Sequence, residues 1–83
     1  MREFVATFHT HLSALMTCRA IQAAGYQARM APVPRKLSSS CGTCVCYTAP
    51  DLCRACLDED TERVYEVHDG GYTLRLDLED EEK

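Results

Sequence analysis

The sequence has no apolar run near the roughly 18 residues that a membrane-spanning helix requires, so no membrane partner is expected. Its start, Met1–Phe8, lacks an apolar stretch long enough for a signal peptide, and a cytoplasmic location is the expectation. Without an export signal, the six cysteines read as reduced thiols or metal ligands rather than a disulfide framework. A dominant basic face is missing too: the formal net charge of −4 argues against a nucleic-acid partner. There is no internal repeat and no sign of a second domain. Eighty-three residues leave too little chain for a deep pocket beside a large core. The expected organisation is one domain over residues 1–78 and a solvated acidic tail, 79–83.

Acid is scarce in the first half. Residues 1–49 hold only Glu3 against Arg2, Arg19, Arg29, Arg35 and Lys36. Residues 50–83 hold twelve acids against four bases. The positive excess falls where it would favour an anionic group, although chance clustering on a solvated surface explains it equally well.

What is present is ordinary globular patterning. Residues 3–8 are apolar, β-branched or aromatic and fit a buried strand. Residues 11–24 lack Pro and Gly; capped by Thr10 or Ser13 and stopped by Gly25, they read as a helix with Ala14, Leu15, Cys18 and Ile21 facing the core. Tyr26–Ala31 reads as a second strand. Thr43–Thr48 alternate as a third, with Thr43, Val45 and Tyr47 on one face and Cys44 and Cys46 on the other. Pro50-Asp51 predicts the opening of a second helix running to about Asp60. Thr61–His68 reads as a fourth strand. The turn Asp69-Gly70-Gly71 then leads into a period-two hairpin strand, Tyr72–Leu78. The expected fold is α+β, a ferredoxin-like split βαβ (βαββαβ) with an extra C-terminal hairpin strand.

Between the second and third strands lies Pro32-Val33-Pro34-Arg35-Lys36-Leu37-Ser38-Ser39-Ser40-Cys41-Gly42. Its prolines remove amide donors and rule out helix, so it reads as a loop that delivers one thiol, Cys41. Gly42 removes bulk beside the sulfur. In the split βαβ sheet the first and third strands are the central pair, so the exit of one lies beside the entry of the other. Cys41 would then sit near a helix N-terminus, near His9 or His11, and after Arg35 and Lys36. Each of these favours a thiolate, where a free cysteine of pKa about 8.5 is only a few per cent ionised. His9 and His11 have either a plain surface role or one in proton transfer. Ser38, Ser39 and Ser40 are either a polar loop or donors to an anion on Cys41.

Two other chemistries compete. Cys41-x2-Cys44 and Cys53-x2-Cys56 have zinc-knuckle-like spacings, with Cys46 a fifth candidate. A strand rising about 3.3 Å per residue would leave Cys53 on the order of 15 Å from Cys41, which this fold cannot reconcile with one ion. A smaller or intermolecular zinc site built from Cys44, Cys46, Cys53 or Cys56 stays open, and iron–sulfur ligation lacks its usual run of cysteines. A redox pair of Cys41 with Cys44 as resolving thiol is the third reading.

At Phe8, Ala14-Leu15, Ala24-Gly25 and the segment from Pro32 to Gly42, the chain resembles the selenium/sulfur (Se/S) carrier protein-like family over about residues 4–68. The resemblance implies a cytosolic bacterial protein that is a carrier rather than an enzyme. It would hold sulfur or selenium on Cys41 as a persulfide or perselenide, between donor and acceptor proteins and with no cofactor. Arg35, Lys36 and Ser38–Ser40 would then stabilise the outer anion. Cys44, Cys46, Cys53 and Cys56 fall outside the family's motif. The hairpin strand extends past the family's usual end, as an edge cover or a homodimer contact.

Overall fold

The computed structural model describes residues 1–81. Five strands form one antiparallel sheet: β1 (Arg2–Phe8), β2 (Gln27–Pro32), β3 (Thr43–Ala49), β4 (Thr61–His68) and β5 (Gly71–Asp77). They lie in the order β2-β3-β1-β4-β5, so β1 is central and pairs with β3 on one side and β4 on the other. The helix α1 (His11–Ala23) joins β1 to β2 and covers one sheet face. Among the described residues no helix is long and apolar enough to cross a membrane.

The boundaries follow local chemistry. Thr10 is the N-cap of α1, its hydroxyl accepting from the Ser13 amide at 3.1 Å. Gly25, at φ +95°, adopts the left-handed backbone that ends the helix cheaply. Ala14, Cys18 and Ile21 are buried against Phe4, Ala6 and Phe8 of β1, Val45 and Tyr47 of β3 and Val64 of β4. Phe4 and Tyr47, paired across β1 and β3, stack with ring centres 5.2 Å apart.

The predicted second helix is absent. Residues 50–60 form an irregular crossover holding only a short 3-10 turn, Arg54–Cys56. Asp51 Oδ1 accepts from the Cys53 amide at 2.8 Å, a local bond that competes with helical pairing. Cys53 itself adopts a left-handed backbone, φ 54°, incompatible with a continuing helix. Tyr47 donates its hydroxyl to Leu52 O at 2.7 Å, pinning the segment against the core. Leu52, Cys53, Cys56 and Leu57 pack there with no helix to carry them. The order of the first four strands is that expected of a split βαβ sheet, but the fold observed is α+β with one long helix on five antiparallel strands.

Two bulges also depart from expectation. In β5, Val64 pairs with Leu76 but Tyr65 pairs with Leu74, so Arg75 is the extra residue. Leu76 therefore turns to the helix-side core, whereas Leu74 lies on the opposite face and is 46% exposed. The even alternation of Tyr72, Leu74, Leu76 and Leu78 does not survive. Beyond β5, Leu78–Glu81 form one helical turn, α2, where a frayed tail is expected. Residues 82–83 of that tail lie outside the described residues.

The second sheet face carries Glu3, Val5 and Thr7 of β1, Cys44 and Cys46 of β3, Arg29 of β2 and Tyr65 and Val67 of β4. The loop 33–42 folds over part of it. Val33 N donates to Gly42 O at 3.1 Å and closes the loop at its base. Pro34 lies over a hollow it shares with Val5, Cys46, Val67 and Tyr72. Lys36 Nζ reaches Gly70 O, 3.4 Å away at the β4–β5 turn. Under this cover Thr7 and Cys44 are fully buried.

Candidate functional site

At the rim where β1 ends, four segments meet: the start of α1, the last residues of the 33–42 loop, the start of β3 and the start of β4. Register requires it, because Thr7 pairs with Cys44 and with Arg63, and Phe8 with Thr61. The second of the two bulges sits here. Between the pairs Thr7–Arg63 and Phe8–Thr61 the residue Glu62 has no partner on β1, so its side chain is re-aimed out of the strand's alternation.

Glu62 organises the loop. Ser40 Oγ donates to its carboxylate at 2.6 Å and the Ser40 amide lies 3.4 Å from both oxygens. Its side chain is only 6% exposed, and His9 Nδ1 lies 3.4 Å from it. The other ring nitrogen of His9, Nε2, lies 2.5 Å from Glu79 on α2, which draws the final helical turn to the same rim. A carboxylate thus lies against each ring nitrogen of His9. Ser39 Oγ donates to Phe8 O at 2.8 Å, a second tie between loop and β1.

Cys41 is held between these ties and β3. Its half-buried thiol packs against the helix-side core and donates to Thr43 O at 3.4 Å, with Ser39 Oγ 3.9 Å away. His11, the first residue of α1, lies on the other side of Thr43, with Nδ1 3.4 Å from its Oγ1. Gly42, at φ +74°, supplies the left-handed turn that returns the chain to β3. Thus His9, His11, Ser39, Ser40, Cys41 and Gly42 are brought to one rim. Ser38 and Arg35 are exposed in the loop. Lys36 is carried to the β4–β5 turn, at the other end of the sheet from Cys41.

The remaining cysteines are dispersed. Cys44 and Cys46 share the second sheet face, while Cys53 and Cys56 pack with the helix-side core. Among the described residues, the only three candidate metal ligands gathered within 4.8 Å of one another are His9, Glu62 and Glu79, none a thiol. The structure does not bring Cys44 and Cys46 together with Cys53 and Cys56: the sheet lies between the two pairs. Nor do Cys41 and Cys44 make a disulfide, each thiol instead facing a carbonyl, Thr43 O and Pro32 O. Burial pushes the Cys18 and Cys53 thiols up. Cys46 is shifted the other way, downward, chiefly through its interaction with the neighbouring Cys44 thiol; burial opposes the shift and Arg29, opposite on β2, aids it.

Glu62 and Glu79 escape a sequence reading. The only signal for Glu62 is an acid one residue into a strand whose neighbours Thr61 and Val64 are apolar-facing, and the bulge that re-aims it leaves no mark in composition. Glu79 falls in a run of acids that reads as solvated tail.

The model of the family described as "Putative Se/S carrier protein-like" matches residues 3–67. The chain belongs to this family. It is similar to "Uncharacterized protein YtiA" of Escherichia coli (strain K12), with 40% identity over 50 residues, 60% of this chain and 59% of that protein. The match thus spans under two thirds of the relative's length. No solved structure matches. The family's match runs from β1 through β4, so it contains the whole Cys41 rim apart from α2, and β5 lies beyond it.

Proposed function

We propose that this protein carries sulfur or selenium as a persulfide or perselenide on Cys41. One observation supports the reading above the others: a half-buried thiol on a loop tied down on both sides, Ser39 to Phe8 O and Ser40 to Glu62. A carrier must shield its cargo from small thiols yet expose it to a partner, and a fixed loop with a partly open sulfur does both. The family's description supports the coarser carrier reading.

In the transfer step, the Cys41 thiolate attacks the outer sulfur of a donor persulfide. The donor's S–S bond breaks, its inner sulfur leaves as a thiolate, and Cys41 keeps the outer atom as Cys41–S–SH. An acceptor thiolate repeats the exchange in the opposite sense and regenerates the Cys41 thiolate. Selenium follows the same bookkeeping. Ser39, whose Oγ lies 3.9 Å from the sulfur, is placed to donate to the outer anion, and His11, whose ring lies against Thr43, is the candidate for moving its proton.

Mass spectrometry of the full chain after incubation with a persulfide donor tests the reading. The expected result is a gain of one sulfur atom that Cys41→Ser abolishes and Cys53→Ser retains. Retention of the full gain by Cys41→Ser would overturn it.

A further inference from the structure

The crossover holds a pair of thiols that the carrier reading leaves unused. Cys53 and Cys56 stand at the two ends of one tight turn, which the Cys56 amide closes on Cys53 O at 2.8 Å. Such a turn brings its end Cα atoms within about 7 Å, against the roughly 4.4–6.8 Å that a disulfide spans. The two sulfurs themselves lie within hydrogen-bonding reach of one another. Cys44 and Cys46 are also neighbours on β3, but residues two apart on a strand hold same-side Cβ atoms about 6.6 Å apart, beyond the roughly 3.5–4.5 Å that a disulfide allows. The turn is fixed before any reaction. Asp51 Oδ1 accepts from the Cys53 amide, Tyr47 holds Leu52, and Cys53 keeps a left-handed backbone that cysteine adopts only at a cost.

The two thiols are not equivalent. Cys53 lines a hollow of about 350 Å³ together with Arg2, Arg54, Arg75, Asp51 and Leu52. Cys56 instead lies beneath α1, its thiol donating to Ala20 O at 3.8 Å. Arg2 and Arg75 share one carboxylate, that of Glu66, and Asp51 is the one acid on the wall of the hollow among the described residues. Three guanidinium groups there favour an anionic entrant. We infer that Cys53 and Cys56 form a dithiol–disulfide redox site, with Cys53 the entering thiol and Cys56 the resolving one, whose substrate is the disulfide of a small anionic thiol.

The Cys53 thiolate attacks one sulfur of the substrate disulfide; that S–S bond breaks, and one half leaves as a thiolate that takes up the proton Cys53 gave up. The Cys56 thiolate then attacks the Cys53 sulfur, the mixed disulfide breaks, and the second half leaves in the same way. The protein dithiol is oxidised and the substrate disulfide is reduced to two thiols, so no other oxidant is needed. Burial pushes the Cys53 thiol up, and a thiolate that is costly to form favours disulfide over dithiol, which makes the pair a reductant. No step involves Cys41, and the site stands or falls apart from the carrier reading.

The test is reaction of the folded, fully reduced chain with glutathione disulfide at neutral pH, followed by peptide mapping without reductant. The expected product is a Cys53–Cys56 disulfide with both glutathiones released, formed equally in Cys41→Ser. Cys56→Ser should instead stop with glutathione held on Cys53. Arg54→Gln, at an exposed site, should slow the reaction with glutathione disulfide about tenfold, while cystamine, a cationic disulfide, reacts no more slowly than before. Arg54→Lys should restore the rate. A first disulfide joining any other pair, glutathione held elsewhere than on Cys53 in Cys56→Ser, or a glutathione-disulfide rate unchanged by Arg54→Gln would overturn the inference.

Discussion

The hydroxyl of Ser40 donates to the buried carboxylate of Glu62 at 2.6 Å, joining the loop before Cys41 to the bulge that opens β4. The bond crosses 22 residues of sequence and holds the loop at the rim. Ser40→Ala leaves that carboxylate with His9 and one long amide contact. The expected cost is about 1–3 kcal/mol in urea unfolding, since a buried charged acceptor loses its shortest donor. Alkylation of Cys41 in the folded state should speed up as the loop loosens. If stability and Cys41 labelling both stay at the wild-type level, the bond does not anchor the loop.

Asp58 makes the corresponding tie for the crossover. Its carboxylate accepts from Ser13 Oγ at 2.8 Å in the first turn of α1, and its amide donates to Thr17 Oγ1 at 3.0 Å. A carboxylate there also meets the positive end of the helix. Asp58→Ala should destabilise the protein by about 1–2 kcal/mol, because Ser13 is buried and its hydroxyl loses its acceptor. Glu59→Ala, at the exposed neighbour, should stay within about 0.5 kcal/mol. Equal losses in the two variants would mean that general charge, not this bond, sets the effect.

These two ties mark the boundary of what is legible in the sequence. The strands are legible because alternation survives in them: Val45 and Tyr47 face α1 while Cys44 and Cys46 face away. The arrival of His11 at Thr43, the start of β3, follows from strand order alone, since β1 and β3 are neighbours in any split βαβ sheet. The crossover is not legible. Pro50-Asp51 carries the signature of a helix start, and the side chain of Asp51 spends itself on the Cys53 amide instead. Bulges are hidden for a related reason. An extra residue at Glu62 or Arg75 alters which face its neighbours occupy without altering composition, so Leu74 and Leu76 look equivalent on paper and part company in the sheet. Lys36 reads as a partner for Cys41 by proximity along the chain, but the loop's path across the sheet takes it away.

Gly42 gives a cleaner probe of the turn beside Cys41. Its φ of +74° is left-handed, yet a Cβ placed there would meet nothing within 4 Å. Gly42→Ala therefore tests backbone strain without a steric clash, and about 1–2 kcal/mol of destabilisation is expected. Gly42→Asn should recover part of the loss, because Asn tolerates that region better. Gly71→Ala is the control: with no left-handed φ and one atom at 3.7 Å, it should be near neutral. Matching urea midpoints for Gly42→Ala and Gly71→Ala would show that the turn is not left-handed in solution.

Glu66 makes the acid dependence of stability predictable. Arg2 binds its two oxygens at 3.0 and 2.7 Å, and Arg75 adds a third contact at 2.9 Å. The Arg2 hydrogen bonds chiefly, aided by Arg75, hold the carboxyl down at about 2 against an ordinary 4.5. Because the folded value lies below the unfolded one, the contribution is complete above pH 4.5 and is lost as pH falls through about 2. Glu66→Gln should lower the melting temperature by a constant amount above that window, and the gap to wild type should close inside it. Salt should narrow the gap as well, since Arg2 is 44% exposed and exposed pairs are screened. A gap that stays open below pH 2 would assign the effect of Glu66→Gln to shape or packing, because protonation has by then removed the charge that the two arginines share.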